Sequence, residues 1–456
     1  MPHAARQYWG KKFTNLPELD LVKLQIDSYK SFLTEGIADS LKEVNSEKGI
    51  EDFTGKNWRV TFGNHRFGDP KYTISQARAK AVSYDMPLYA EATLLNKKTG
   101  EEKTQEVFLG DIPQITPVGT FVVNCIERAI VTQLVRSSGI SYSGDQDPVS
   151  GRMLYIAELR PMRGSWLEVA VTRRNIMTVK IDRRRKMPVT VLLRAIGYGT
   201  NEEILELFKD VPDEYELIKS TLEKDTTASE SEALIELYEK MRPGEPAVVE
   251  TAREFLGQLF FDPRRYDLGD VGRYKLNRRL KLDIDEKTTV LTKDDIVAAV
   301  KYLVRLQNGD GKTDDIDHLS NRRVRRVGEL VQANAFRIGL IRLERSIREK
   351  MSLTKTDEDL TPAALVNARP LIATISEFFR RNRLSAILDQ TNPLAELDNL
   401  RRLSVMGTGG VTRERASFSM RDINASQYSR IDPVRSPEAP NIGLVTYLSL
   451  YARVND

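Results

Sequence analysis

The chain has 456 residues, 40% of them apolar, so it can bury sizeable cores and is longer than one ordinary domain. The formal net charge of +4 identifies no partner, the single cysteine Cys125 excludes an internal disulfide, and three histidines argue against a zinc site. No apolar run is long enough to span a membrane, and the N-terminus lacks the apolar stretch of a signal peptide. We expect a soluble, cytoplasmic, multidomain protein without a structural metal.

The first third of the chain predicts a helix followed by strands. Apolar residues recur at helical spacing over residues 16–33, which predicts an amphipathic helix. Residues 58–109 alternate as strands do, and the polar stretch 96–102 between two such runs predicts a hairpin turn. Residues 119–140 pass from an apolar strand into a helix-like stretch.

The remainder alternates between strands and helices. Residues 151–200 are strand-rich, and residues 201–260 are helical, with a break at 241–246 where prolines and glycine interrupt the pattern. Helices are predicted over 293–306, 321–351 and about 370–388, with a loop at 306–320 and a turn-rich segment after 388. The pattern predicts an α+β fold with mixed antiparallel sheets and helices in several domains.

Charge is distributed unevenly along the chain. Residues 151–200 hold eleven basic and three acidic residues, residues 201–250 hold five and fifteen, and residues 321–350 hold nine and three. This pattern fits a one-sided nucleic-acid surface, and it fits equally well two solvated faces of opposite sign.

Arginine clusters within ordered segments are the strongest local signal. They are Arg183–Arg185 with Lys186, Arg278–Arg279, Arg322–Arg323 with Arg325–Arg326, and Arg401–Arg402. Arginine suits phosphates and guanine edges, and Trp166, just before the first cluster, could stack on an unstacked base. The alternative is that Trp166 is a core aromatic and the arginines form surface ion pairs.

Familiar catalytic motifs are absent. The string GDGKT (309–313) lacks the earlier glycine of a phosphate-binding loop, and Lys312 falls where a calcium loop needs an oxygen ligand. No nucleophile–base pair and no clustered aspartate triplet for magnesium is visible. If the protein belongs to an enzyme, we expect the metal on another chain.

Several strings resemble the β subunit of bacterial DNA-directed RNA polymerase, in order along the chain. They are LVKLQIDSYKSFL (21–33), GTFVVNCIERAIVTQLVRSSG (119–139), RGSWLEVAV (163–171), IDRRRKMPVTVLLRAIGY (181–198), RRYDLGDVGRYKLNRRL (264–280), DDIDHLSNRRVRRVGEL (314–330), DQTNPLAELDNLRRLS (389–404), TRERASFSMRD (412–422) and NIGL (441–444). The resemblance implies the N-terminal portion of such a subunit. It assigns residues 1–125 and 325–385 to the protrusion, 126–324 to a lobe inserted into it, and 386–456 to a fork domain in which the sequence ends.

The resemblance implies DNA-templated RNA synthesis from ribonucleoside triphosphates, a nucleotidyl transfer that this chain cannot catalyse alone. The expected partners are the β′ subunit, the α dimer, ω, a sigma factor, single- and double-stranded DNA and the nascent RNA. No cofactor is expected on this chain, since the family holds its catalytic Mg²⁺ on β′. The expected location is the cytoplasm, at the nucleoid. Alternatives are a stand-alone DNA-binding or decoy protein and a non-productive gene fragment.

The resemblance also implies site residues. Those matching a pocket for a flipped-out guanine of the non-template strand are Trp166, Asp182, Arg183, Asp317 and Arg322. Arg413 and Arg415 match a loop at the point of strand separation.

Residues matching the rifampicin pocket are Asp389, Asn399, Arg402 and Ser404. In that pocket Ala386 replaces the family's usual glutamine, and Asn399 replaces its usual histidine. Reduced drug affinity is expected, unless Leu388 and Leu403 compensate by packing on the drug.

The chain departs from the family elsewhere as well. Cys125, Ser417 and Ala439 stand where glycine is usual, and Arg435 stands where an acid is usual. Asn424 and Gln427 stand where histidines are usual. Loss of glycine is expected to restrict the backbone wherever φ must be positive.

Overall fold

The computed structural model describes residues 19–45, 49–354 and 360–455 and is a mixed α+β structure, which confirms the predicted fold class. The chain divides into two compact units. Unit 1 comprises residues up to 135 and from 324 onward, and unit 2 comprises residues 136–323. The predicted inserted domain, 126–324, begins ten residues earlier than unit 2.

The described residues of the first part of unit 1, 19–45 and 49–135, form three helices and seven strands, the last of which ends at Arg136. The helices are α1 (Lys23–Ser31), α2 (Ile37–Asn45) and α3 (Ile74–Ala79). The strands are β1 (Ile50–Glu51), β2 (Trp58–Phe67), β3 (Asp85–Asn96), β4 (Glu102–Pro113), β5 (Phe121–Val123), β6 (Ile126–Ile130) and β7 (Thr132–Arg136). A π-helical turn, Phe32–Gly36, joins α1 to α2.

Unit 2 contains a sheet followed by seven helices. Its strands are β8 (Gly139–Gln146), β9 (Met153–Arg160), β10 (Leu167–Val171), β11 (Met177–Ile181) and β12 (Met187–Pro188). Its helices are α4 (Val189–Ala195), α5 (Asn201–Leu207), α6 (Leu217–Lys224), α7 (Glu230–Met241), α8 (Val249–Phe260), α9 (Gly269–Leu280) and α10 (Lys293–Gln307). The strand β13 (Arg322–Arg325) passes from unit 2 back to unit 1.

The second part of unit 1 is helical and then turn-rich. Its helices are α11 (Val327–Val331), α12 (Arg337–Leu353), α13 (Pro362–Leu365), α14 (Arg369–Arg381), α15 (Pro393–Leu400) and α16 (Phe418–Arg421). Its strands are β14 (Ser385–Ile387), β15 (Arg402–Ser404) and β16 (Val445–Tyr447).

Antiparallel pairing dominates the sheets. In unit 1, β1-β2-β3-β4 form one sheet and β14-β6-β5 another, and β15 pairs parallel to β7 and antiparallel to β16. In unit 2 the order is β12-β11-β10-β9-β8. One face of this sheet and the helices α4 to α10 enclose a large apolar core, in which Val179, Leu192 and Leu303 are completely buried. The polar residues described below lie on the other face of this sheet and in the loops next to its strands.

Several predicted elements are confirmed. The hairpin turn at 96–102 joins β3 to β4, the break at 241–246 separates α7 from α8, and the helix at 293–306 is α10. The loop at 306–320 is irregular apart from a short 3-10 turn at its end. The helix predicted over 16–33 begins at Lys23 and continues to Asn45; residues 16–18 lie outside the described residues.

Other predictions were wrong. The helix-like part of 119–140 is strand, because β6 and β7 pair with β14 and β15 more than 250 residues away in the sequence. Residues 189–195, predicted as strand, form α4, whose side chains are all buried. The helix predicted from 321 begins with β13, and the one predicted to 388 ends at Arg381. Local periodicity does not report such long-range partners.

The charged loop that ends unit 2 has structural partners. Asp314 accepts a hydrogen bond from the Tyr142 backbone N–H at 2.9 Å and one from the Arg279 guanidinium at 3.3 Å.

Across residues 19–45, 49–354 and 360–455, no helix is long and apolar enough to cross a membrane.

Candidate nucleic-acid interface

Trp166 immediately precedes β10, beside the end of β11. The register pairs Leu167 with Ile181, which brings Asp182 beside Trp166. The Asp182 carboxylate accepts hydrogen bonds from the Trp166 backbone N–H at 2.8 Å and from the Ser165 hydroxyl at 2.7 Å. The Asp182 N–H donates to the Trp166 carbonyl at 2.9 Å. Asp182 therefore fixes the backbone from which the indole projects.

Arg183 reaches the indole through an unusual backbone. Asp182 and Arg183 have φ values of 48° and 59°, a left-handed conformation that costs a non-glycine residue about 1–2 kcal/mol. Two such residues in succession turn the chain sharply after β11. The Arg183 guanidinium carbon lies 4.8 Å from the centre of the Trp166 ring, within cation–π distance.

A second arginine contacts the same ring. The Arg160 guanidinium lies 4.5 Å from the ring centre and donates to Glu158 at 2.8 Å. Glu158 also accepts from Arg136 at 2.7 Å, so one carboxylate holds two arginines. Burial lowers the pKa of Arg160, the Glu158 charge opposes that shift, and the charges of Arg136 and Arg183 add to it.

These residues line a small pocket on the polar face of the sheet. Glu158, Glu168 and Lys180 are cross-strand neighbours on β9, β10 and β11, and Lys180 donates to Glu168 at 2.5 Å. The complete lining is Glu158, Leu159, Arg160, Trp166, Leu167, Glu168, Lys180 and Arg183. The pocket offers an aromatic ring, carboxylate acceptors and guanidinium donors, which is the set that a nucleobase can use.

Asp317 and Arg322 do not line the pocket, but they interact with it through the charge of Arg136. Burial lowers the pKa of Arg322, the Asp317 carboxylate opposes the shift, and the Arg136 charge reinforces it. Arg322 is thus near both Asp317 and Arg136, and Arg136 shares Glu158 with Arg160. All five residues predicted from sequence for this pocket lie in unit 2.

The sequence analysis missed four charged residues that line the pocket, namely Glu158, Arg160, Glu168 and Lys180, and also Arg136, which pairs with Glu158. Glu158 and Arg160 lie two apart in a strand, so they share a face. That alternation was the available signal. Trp166 is half-buried and lies outside the apolar core, contrary to the interpretation of it as a core aromatic.

The two arginines predicted for the strand-separation loop lie in unit 1. Arg413 and Arg415 occupy a short 3-10 turn, and both side chains are exposed. Arg421 donates to the Arg413 carbonyl at 3.1 Å, which fixes the turn. The pKa of Glu414 between them is lowered by hydrogen bonds from its own backbone and from Thr412, and further by the charges of Arg413 and Arg383.

The four residues matched to a drug pocket also lie in unit 1, and their side chains differ in exposure and in hydrogen bonding. Asp389 is exposed and accepts from the Thr391 N–H at 3.1 Å. Asn399 is 3% exposed, and its amide donates to the Ala395 carbonyl at 2.9 Å. Ser404 is buried and accepts from the Met406 N–H, while Arg402 is half-buried near the Tyr447 ring.

Comparison with known proteins identifies the family. RNA polymerase Rpb2, domain 2, matches residues 136–325, and RNA polymerase Rpb2, domain 3, matches residues 386–454. The DNA-directed RNA polymerase subunit beta of Syntrophomonas wolfei is 48% identical over 437 residues, which cover 96% of this chain and 38% of that protein. The subunit of Synechocystis is 49% identical over 444 residues, covering 97% and 39%, respectively.

The chain belongs to the RNA polymerase β-subunit family. It spans about two fifths of the length of the curated relatives it matches.

The structure separates the departures from the family pattern into strained and unstrained ones. Ala439 has a φ of 58° and Cys125 has a φ of 62°, so each occupies a left-handed position at which glycine is favoured. Ser417, by contrast, has a φ of −64°, which any residue adopts. Arg435 forms an ion pair with Asp398 at 2.7 Å and lies over the Tyr447 ring at 4.4 Å.

The other two departures have local structural roles. Asn424 accepts from the Ser426 N–H at 2.9 Å and begins a short 3-10 turn, and Gln427 is buried.

Proposed function

We propose that this chain forms part of the β subunit of a DNA-directed RNA polymerase and contributes to DNA-templated RNA synthesis from ribonucleoside triphosphates. The observation that carries the proposal is the 48–49% identity across almost the whole chain to subunits with that name. In the assembled enzyme its role would be to shape a wall of the DNA cleft. The partners would be β′, the α dimer, ω and a sigma factor, together with DNA and nascent RNA.

The catalytic Mg²⁺ of this proposal belongs on the β′ subunit. Within the described part of the chain, no group of three or more His, Cys, Asp or Glu residues lies together as metal ligands would. The residues present therefore do not fit a two-metal phosphoryl-transfer site, and this chain would position nucleic acid.

The test of the function is synthesis by the assembled enzyme. The subunit containing this chain would be purified with the other polymerase subunits of its source and supplied with a promoter template and ribonucleotides. Template-length RNA is the expected product. A complex that assembles and binds DNA but makes no RNA would favour the stand-alone binding alternative. The reading frame after the Asp456 codon tests the fragment alternative: an open frame that continues into the family's downstream motifs would favour the polymerase subunit, and a stop would favour a fragment or a split gene.

Within that function, we propose that the Trp166 pocket holds a flipped-out guanine of the non-template strand. The indole would stack on the base, carboxylates such as Asp182 and Asp317 would accept from its N–H groups, and Arg183 or Arg322 would donate to its O6 and N7 or to phosphate. The lining of the pocket supports this proposal, because it places the half-buried indole of Trp166 beside carboxylate acceptors and guanidinium donors.

Trp166→Ala tests the pocket. Open complexes on templates that differ by guanine or thymine at one non-template position should lose about 1–3 kcal/mol of their guanine preference, the usual value of base stacking. Tyr274→Ala, which removes an aromatic side chain of unit 2 that lies outside the pocket, is the control and should leave the preference intact. An unchanged guanine-to-thymine ratio in the Trp166 variant would contradict the assignment.

We further propose that Arg413 and Arg415 contact DNA where the strands separate, and that Asp389, Arg402 and Ser404 line a rifampicin pocket. The exposure of both arginines supports the first proposal. Their neutralisation by glutamine should shift promoter opening to lower salt, and an unaltered salt dependence would count against it.

A further inference from the structure

A group of arginines at the end of α14 lies outside all the sites above. Arg380 and Arg381 occupy the last turn of α14, Arg383 follows two residues later, and all three side chains are exposed. Cations near a helix C-terminus stabilise the helix dipole, which accounts for Arg380 and Arg381. Arg383 lies beyond the helix, so the dipole does not explain it.

Packing brings Arg383 to the loop that carries Arg413. Its neighbour Leu384 is 2% exposed, and the Leu384 carbonyl accepts from the Val131 N–H at 2.8 Å. Gly407 has a φ of 107°, and a Cβ at that position would lie 3.0 Å from the Leu384 side chain. Leu384 therefore packs directly against the glycine turn at 407–410. The turn after α14 is fixed against this loop.

Hydrogen bonds from a side chain of β7 and within the loop itself fix the conformation of this loop. The Gln133 side-chain amide donates to the Met406 and Thr408 carbonyls, both at 3.0 Å, and the Gly410 N–H donates to the Gly407 carbonyl at 3.0 Å. The same packing accounts for the electrostatics of Glu414, whose pKa is lowered mainly by hydrogen bonds and further by the charges of Arg413 and Arg383. Arg383 and Arg413, thirty residues apart in the sequence, thus both lie near the Glu414 carboxylate.

Charge compensation in this region is sparse. Within the described residues, no carboxylate oxygen lies within 4.0 Å of any of the guanidinium groups of Arg380, Arg381, Arg383, Arg413 and Arg415. We call these five residues the arginine surface. Grouped like charges repel one another and weaken the fold, so the arrangement is best satisfied by an external polyanion. Guanidinium groups bind phosphate oxygens in pairs, with geometry that lysine does not provide.

We propose that the arginine surface binds the phosphodiester backbone of a single-stranded nucleic acid, with Arg380, Arg381 and Arg383 extending the contact made by Arg413 and Arg415. This inference rests on the proposed function, because a polymerase supplies such a strand. The same chemistry is offered by the nascent RNA and by a separated DNA strand, and the experiment distinguishes them.

The test measures the salt dependence of scaffold binding by the assembled polymerase. Each contact to a single-stranded phosphate contributes about 0.7 to the slope of log affinity against log salt, so Arg380→Gln, Arg381→Gln and Arg383→Gln together should reduce its magnitude by about 2. The matched control neutralises three exposed cations elsewhere in unit 1, Lys56, Lys98 and Arg369, and should leave the slope unchanged. Arg383→Lys should retain its share of the slope.

Two scaffolds identify the strand. One contains an RNA primer annealed in a DNA bubble, and the other is the same bubble without RNA. A reduced slope only with RNA assigns the contact to RNA, and an equal reduction on both assigns it to DNA. Wild-type slopes for the triple variant on both scaffolds would overturn the inference. Failure of the wild-type enzyme to extend the primer would instead contradict the proposed function.

Discussion

Arginine side chains are buried to different extents in unit 2 and in the turn-rich segment 385–455 of unit 1. Unit 2 buries two arginines completely and pairs each, Arg194 with Asp225 at 3.2 Å and Arg273 with Asp295 at 2.8 Å. The turn-rich segment buries none of its arginines completely, and in the ion pair with Asp398 the Arg435 side chain is 56% exposed.

This difference distinguishes the charges that stabilise the fold from those that remain available for binding. Arg273 on α9 also donates to the Thr288 carbonyl at 2.6 Å, so its charge is used entirely inside unit 2. The same unit presents Trp166 on a backbone fixed by Asp182. In the turn-rich segment, Arg413 and Arg415 are both exposed on a short 3-10 turn. We therefore expect changes at the buried ion pairs of unit 2 to act through stability, and changes at the exposed arginines of the turn-rich segment to act through binding.

The largest expected effect is the loss of a buried pair. Asp295→Ala should destabilise unit 2 by about 3–5 kcal/mol, because it leaves the Arg273 charge buried without its counter-ion. Asp295 also caps α10 by accepting from the Thr292 N–H at 2.8 Å. Hydrogen exchange of α9 and α10 in the assembled enzyme would measure the loss.

The matched control is Asp398→Ala in the turn-rich segment. Its partner Arg435 is 56% exposed, so the loss should be below about 1 kcal/mol. Equal effects of the two changes would break the comparison between the regions.

The next largest effect concerns rifampicin. Asn399 has its amide committed to the Ala395 carbonyl, and Ala386 has no polar side chain. Loss of two drug contacts corresponds to roughly 1–4 kcal/mol, or about ten- to a thousandfold in affinity. Leu388 and Leu403 are 6% and 1% exposed, which argues against compensation by packing on the drug. The polymerase is expected to be weakly inhibited and otherwise active.

Inhibition curves for the wild type and for Ala386→Gln with Asn399→His test this expectation. The double change should increase sensitivity, with each single change giving part of the gain. Strong inhibition of the wild type, or no gain from the double change, would refute the role assigned to these positions.

The sequence predicted the fold class and most of unit 2, because α7, α8 and α10 carry strong helical periodicity and clear breaks. It missed α3, whose start depends on a Thr73–Gln76 capping box inside a strand-like stretch. It also missed β7, whose partners are distant in sequence. Of the pocket, Trp166 and Asp182 were predicted by resemblance, whereas Arg160 becomes significant only when the sheet brings its guanidinium over the indole.

A smaller effect separates two substitutions within the turn-rich segment. Ala439→Gly should relieve the left-handed strain at a φ of 58° and stabilise the turn by about 1 kcal/mol. Ser417→Gly is its control: the φ of −64° is unstrained, so glycine there should only add freedom to the unfolded chain and destabilise slightly. Protease resistance of residues 436–443 would report the gain. The same response from both variants would show that strain is not the cause.

Asp85 gives the smallest expected effect and extends the comparison to the first sheet of unit 1, where burial and a second carboxylate outweigh the charge of a nearby lysine. Burial raises the pKa of Asp85 to about 6, the negative charge of Asp111 adds to the shift, and Lys71 opposes it. Because the folded pKa lies above the unfolded value of 3.8, the folded state holds the proton more tightly. The destabilisation is therefore complete above pH 6 and disappears as the pH falls toward 4.

Asp85→Asn removes the charge at every pH. The variant should be more stable than the wild type by about 1 kcal/mol above pH 6, a value reduced for solvent screening of a partly exposed group, and equal to it near pH 4. Exchange protection of β3 and β4, compared between variants at each pH, would measure the difference. Glu91→Gln, an exposed carboxylate of the same strand, is the control. A pH-independent difference for Asp85→Asn would mean that packing rather than charge governs this position, and unit 1 would then tolerate an uncompensated carboxylate without cost.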